Sequence, residues 1–122
     1  MLLNKADMKH CALMVVVNNE LYKPGKETPY DAARFAWPVN LRRAEKVEIV
    51  LVSYHRSIIE VFFVDEWLPA TKEHFPEFTN EIESNRFGFV GRLADEEIRK
   101  YYTGRRTGDD VRCHGSGFRY LP

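Results

Sequence analysis

Trp37-Pro38-Val39-Asn40-Leu41-Arg42-Arg43-Ala44-Glu45-Lys46 opens the stretch that decides how this chain folds, and Asp65-Glu66-Trp67 closes it. Between them lie two runs dense in Val, Ile and Phe, 47–54 and 57–64, broken only at Tyr54-His55-Arg56-Ser57. Both runs read as strands, and so short a break predicts a hairpin. Asn40 caps a short helix through Lys46. Its Leu41–Ala44 spacing gives one buried edge and leaves Arg42 and Arg43 exposed or aimed at a ligand. The stretch therefore reads as basic helix, strand, tight turn and strand, with a tryptophan at each end.

Working outward, residues 9–18 are apolar and rich in β-branched side chains, which predicts a buried strand closed by Asn18-Asn19. Glu20-Leu21-Tyr22-Lys23 reads as a short return strand ended by Pro24-Gly25. Thr28 is an N-cap with Pro29 at the first helical position, so 28–36 is expected to be a helix that Pro38 stops. Residues 71–86 are polar and acidic and read as a long loop or weak helix, a functional insertion in a compact domain. Residues 86–93 form a strand in which Gly88 and Gly91 mark bulges or close backbone approach. Asp95 caps a helix through Tyr102, Gly104 ends it, and 118–121 makes a last strand. The order predicts one domain over 1–122 of α+β class. It would be mainly antiparallel, with about five or six strands and short helices at the rim. So few helices argue against a parallel α/β sheet, and a small, partly open barrel is the economical solution.

The chain has 122 residues and a formal net charge of zero, so no global field steers it toward a polyanion. Its charge is segregated, however. Residues 60–83 carry seven carboxylates against Lys72 alone, whereas from Arg99 onward six cations face Asp109 and Asp110. That distribution suggests a local anion site. No apolar run near the N-terminus has signal-peptide length, and none approaches a membrane span. The expectation is a cytoplasmic protein with Cys11 and Cys113 reduced and no membrane contact.

Three catalytic or metal readings give way to simpler ones. His10-Cys11 and Cys113-His114 hold zinc's preferred ligands, but neighbours on a strand point to opposite faces. Gly115-Ser116-Gly117 lacks the form of a nucleophile elbow. Asp65-Glu66 and Asp109-Asp110 lack the acid-x-Lys grouping of a metal-dependent nuclease. No catalytic residue, metal ligand or cofactor is assigned. The basic-aromatic set is the best candidate for a site: Arg34, Trp37, Arg42, Arg43, Trp67, Arg105, Arg106, Arg112, Arg119 and Tyr120. Arginine binds phosphate bidentately and aromatic rings stack bases. Arginines outnumber lysines eleven to seven, which suits planar recognition. The simpler reading makes Trp37 and Tyr120 core residues and pairs the arginines with the acidic loop.

Arg42-Arg43-Ala44-Glu45-Lys46 running into Val50-Leu51-Val52-Ser53-Tyr54 and Ile58-Ile59-Glu60-Val61 resembles the core of the PUA-like domains, the EVE and ASCH groups among them. More narrowly, residues 37–67 with Arg86-Phe87-Gly88-Phe89-Val90-Gly91, Tyr102-Thr103-Gly104-Arg105-Arg106 and Phe118-Arg119-Tyr120 look like an uncharacterised bacterial domain found with some GIY-YIG-type nuclease proteins. That likeness covers most of the chain after residue 30. Two departures stand out. The paired GIY and YIG strands are missing, and Cys113-His114-Gly115-Ser116-Gly117 stands where a Gln-Asn-Pro type stretch is expected. The resemblance implies a non-catalytic binding module for nucleic acid or a modified base, working beside a nuclease. The alternatives are a small-molecule or signalling-nucleotide binder and a protein-interaction or homo-oligomeric module built on Trp67, Phe75 and Phe78.

Overall fold

The computed structural model describes residues 1–20, 22–113 and 117–121. It is α+β, with one seven-stranded sheet and a few short helices. The strands are β1 (Leu2–Leu3), β2 (Ala12–Val17), β3 (Ile49–Tyr54), β4 (Ser57–Pro69), β5 (Phe87–Leu93), β6 (Arg106–Thr107) and β7 (Phe118–Leu121). The helices are α1 (Pro29–Ala33), α2 (Leu41–Ala44) and α3 (Glu96–Tyr102). The sheet runs β1-β6-β4-β3-β2-β7, and β5 also pairs with β4.

Most pairings are antiparallel, as expected. The exception at the centre is β2 with β3, parallel over six residues from Ala12↔Ile49 to Val17↔Tyr54. Parallel strands are buried on both faces and read as unbroken apolar runs. Here the odd residues of β2 (Leu13, Val15, Val17) join Val50 and Val52 in one core. Ala12 and Met14 join Ile49 and Leu51 in a second core on the opposite face. The first core is covered by α1 and α2, the second by α3.

The caps act as the sequence predicts at two helices. Asp31 N donates to Thr28 Oγ1 at 3.1 Å and Arg43 N to Asn40 Oδ1 at 3.2 Å. At α3, Asp95 stands in the N-cap position but its side chain makes no cap hydrogen bond. The bidentate pair from Arg99 to Glu60, at 2.8 and 3.1 Å, ties α3 to β4 instead. Residues 20, 22 and 23 of the expected return strand belong to no strand, and Leu21 lies outside the described residues.

β4 is longer than its apolar run suggests because a bulge between Val64 and Glu66 resets the register. β4 pairs with β3 from Ser57 to Phe63 and with β5 from Phe62 to Pro69, on both sides of the bulge. The bulge bends the strand and keeps Trp67 in the first core, leaving Asp65 and Glu66 in water. The sheet does not close into a barrel. Trp37 lies between the ends of β5 and β7. It exchanges backbone hydrogen bonds with Phe87 at 2.8 and 2.9 Å, and its ring meets Phe118 edge-on at 6.4 Å.

The β3–β4 hairpin turns on His55 and Arg56, with φ of 50° and 65°. A two-residue turn with both φ positive favours Asn-Gly, and each ordinary residue there costs about 1–2 kcal/mol. Thr107 N donates to Arg56 O at 2.8 Å and helps hold the turn.

Candidate functional site

The two faces of the sheet divide the predicted residues. On β7, Phe118 and Tyr120 pack against the first core, while Leu121 points the other way into the second. Arg119, between Phe118 and Tyr120, therefore lies on the face opposite both.

On the first face a file of side chains runs outward from the interior. Trp37 is 7% exposed and donates Nε1 to Ala33 O at 2.6 Å. Its ring meets Phe118, and Phe118 meets Tyr120 edge-on at 5.9 Å. Arg43 lies over the Tyr120 ring, Cζ 4.0 Å from the centroid. Asn40 N donates to Tyr120 Oη at 3.2 Å, which fixes the phenol against the start of α2. Arg42 and Arg43 are exposed, and neither has a carboxylate partner among the described residues. A guanidinium stacked on an aromatic face keeps its N–H edges free for an acceptor. Sequence reasoning missed Phe118 as the link from Trp37 to Tyr120; the alternation Phe118-Arg119-Tyr120 was the signal for it.

Other predicted residues are engaged elsewhere. Arg34 donates to Glu77 Oε1 at 2.6 Å and to Asp31 at 3.2 Å, and lies over Phe78 at 4.8 Å. It fastens the acidic loop to α1. Trp67 is 7% exposed and packs on Phe89 at 5.5 Å, its Nε1 buried without a hydrogen-bond partner among the described residues. The groove of about 230 Å³ beside it is lined by Glu45, Asp65 and Glu66, the wrong charge for a phosphate. Phe75 is fully buried, so of Trp67, Phe75 and Phe78 only Phe78 reaches the surface.

The C-terminal arginines collect on the second face or at the sheet's end. Arg105 lies over Tyr101 at 4.8 Å, with Nη2 3.7 Å from Asp7 Oδ1. Its Nε and Nη1 are buried without hydrogen-bond partners among the described residues. Arg106 is exposed on β6 opposite Ser57. Arg112 pairs with Asp109 at 3.5 Å, and its carbonyl accepts from Arg119 Nη1 at 2.8 Å. Burial pushes the nearby Cys113 thiol up, against a smaller opposing effect of Arg119.

The residues weighed for catalysis or metal binding are dispersed. His10 Nδ1 meets Tyr102 Oη at 2.9 Å, Asp65 pairs with Arg92, and Asp110 accepts from Lys5 N at 3.2 Å. His114 and Ser116 lie outside the described residues. Among the described residues no three His, Cys, Asp or Glu side chains converge as a metal site, and no helix is long and apolar enough to cross a membrane. Compared with known protein families, with curated proteins and with solved structures, the chain matches none.

Proposed function

We propose that this chain is a non-catalytic binding module of PUA-like type for nucleic acid or a nucleotide-like anion. The contact is the surface formed by Arg42, Arg43 and Tyr120. The observation that carries this reading is the Arg43 guanidinium stacked 4.0 Å over Tyr120 beside Arg42, with both cations exposed. A charge-balanced protein needs only a few such groups to hold phosphate, and planar guanidinium groups suit it better than ammonium. Trp37 serves as the floor beneath Phe118 and Tyr120 and not as the stacking platform. Trp67 is set aside, since carboxylates line the groove beside it.

The test is anisotropy of a labelled single-stranded oligonucleotide with the wild type and with Arg42→Ala/Arg43→Ala. Saturable binding that the double variant weakens at least tenfold supports the reading. Equal binding by the two proteins, with thermal stability unchanged, contradicts it. Binding of a mononucleotide that persists at high salt favours the small-ligand alternative.

A further inference from the structure

We infer that the ligand is a single strand, drawn obliquely from β7 across β2 to the end of β3 on the face that carries Tyr120; this rests on the nucleic-acid reading above. Four half-buried aromatics pack against the first core on this face: Tyr120 and Phe118 on β7, Tyr54 at the end of β3, and Tyr22. The strand register sets them in a row that crosses β2 obliquely. Tyr120 and Phe118 stand opposite Leu13 and Val15 on the β7 side of β2, Tyr54 stands opposite Val17 on the β3 side, and Tyr22 meets Tyr54 edge-on at 5.1 Å. The row advances about 13 Å along β2, at roughly 3.3 Å per strand residue, and crosses two strand spacings of about 4.8 Å each. β7 ends the strand order among the described residues.

Cations stand at both ends of the file. Arg42 and Arg43 are at the Tyr120 end. At the other, Lys23 and Lys26 line a groove of about 330 Å³ with Asn19, Tyr22 and Pro24. Both lysines are exposed, and neither has an ion-pair partner among the described residues. Glu20 and Glu27 line a neighbouring groove with Asp31 and Glu77. The positive-φ turn adds exposed His55 and Arg56 beside Tyr54, the His55 ring 4.1 Å from the Tyr54 ring. Strained non-glycine turns recur where a loop contacts a ligand. Phosphate contacts at two ends of an aromatic row are the layout of a single-strand platform, where splayed bases stack on side chains and the backbone follows the cations. A duplex keeps its bases stacked on one another and offers this row nothing but phosphate.

The test measures binding of oligothymidylates from about three to about twelve nucleotides, and of a duplex of the longest, to three proteins. These are the wild type, Lys23→Ala/Lys26→Ala and Arg42→Ala/Arg43→Ala. Affinity should rise with length until both ends are spanned and then level off. The lysine variant should weaken the longest strand about tenfold and leave the shortest unchanged, and the duplex should bind at least tenfold more weakly than the strand. A duplex that binds as tightly as the strand overturns the inference. So does a lysine variant that matches wild type at every length while the arginine variant is impaired, and in that case the proposed module still stands. No binding by any oligonucleotide overturns both.

Discussion

Arg34 Nη2 meets Glu77 Oε1 at 2.6 Å across 43 residues of sequence, and this pair fastens the acidic loop to the end of α1. The same guanidinium lies 5.0 Å over Tyr30 and 4.8 Å over Phe78, while Phe35 stacks on Phe78 at 5.0 Å. A backbone hydrogen bond, and then the Arg34 guanidinium, hold the Glu77 carboxyl below its ordinary value of 4.5. A folded pKa below the unfolded one means the contact is fully present above 4.5 and lost as pH falls through the lowered value. The Phe35 and Phe78 ring resonances should therefore titrate with a midpoint below 4.5, and should stop doing so in Glu77→Gln. A midpoint at or above 4.5 would count against the pair.

The hairpin makes a prediction of opposite sign. His55→Asn/Arg56→Gly relieves the left-handed strain at position 56, eases it only in part at position 55, and keeps the backbone carbonyl that Thr107 N uses. The variant should gain about 1–2 kcal/mol in denaturant unfolding. A loss of stability would mean that the contacts of Arg56 with Thr107 and Asp109, at 3.5 and 3.8 Å, outweigh the strain.

Gly91 faces the β4 bulge, and a Cβ there would drive into the Phe63 carbonyl oxygen. That neighbour is backbone in a paired strand and cannot swing aside. Gly91→Ala should lower stability by about 1–3 kcal/mol. An unchanged melting temperature would show that the bulge yields more easily than its pairing implies.

Tyr102, the last residue of α3, is fully buried, and its hydroxyl accepts from Lys9 N at 3.0 Å and shares a hydrogen bond with His10 Nδ1 at 2.9 Å. Tyr102→Phe keeps the ring and strands both partners, at a cost of about 1–3 kcal/mol. Urea titration measures it, and a neutral substitution would mean that water replaces the hydroxyl.

Much of the fold was legible because its signals are local. The caps Thr28 and Asn40, the break at His55-Arg56 and the Gly104 stop are each set by neighbours in sequence. The parallel pairing of β2 with β3 was not legible, because Leu13-Met14-Val15 and Val50-Leu51-Val52 are apolar on both faces and read alike in either direction. Helices as short as α1 and α2 gave no warning of a crossover. β1 and β6, at two residues each, leave no periodic trace. The site was legible by residue type but not by face. A one-residue offset on β7 sends Arg119 away from Phe118 and Tyr120, and no composition argument detects that. Trp37 and Trp67 were expected to stack a ligand as large aromatics beside basic residues, yet both are buried. Arg34 was expected to meet a ligand, and Glu77 takes it instead.

The most direct measurement is the salt dependence of single-strand binding in the wild type and in Arg42→Ala/Arg43→Ala. For a single strand, the slope of log affinity against log salt falls by about 0.7 for each phosphate contact removed. The double variant should bind more weakly and show a slope shallower by about 1.4, with its melting temperature unchanged. A variant with the wild-type slope and affinity would mean that Arg42 and Arg43 touch no phosphate, and the proposed site would fall.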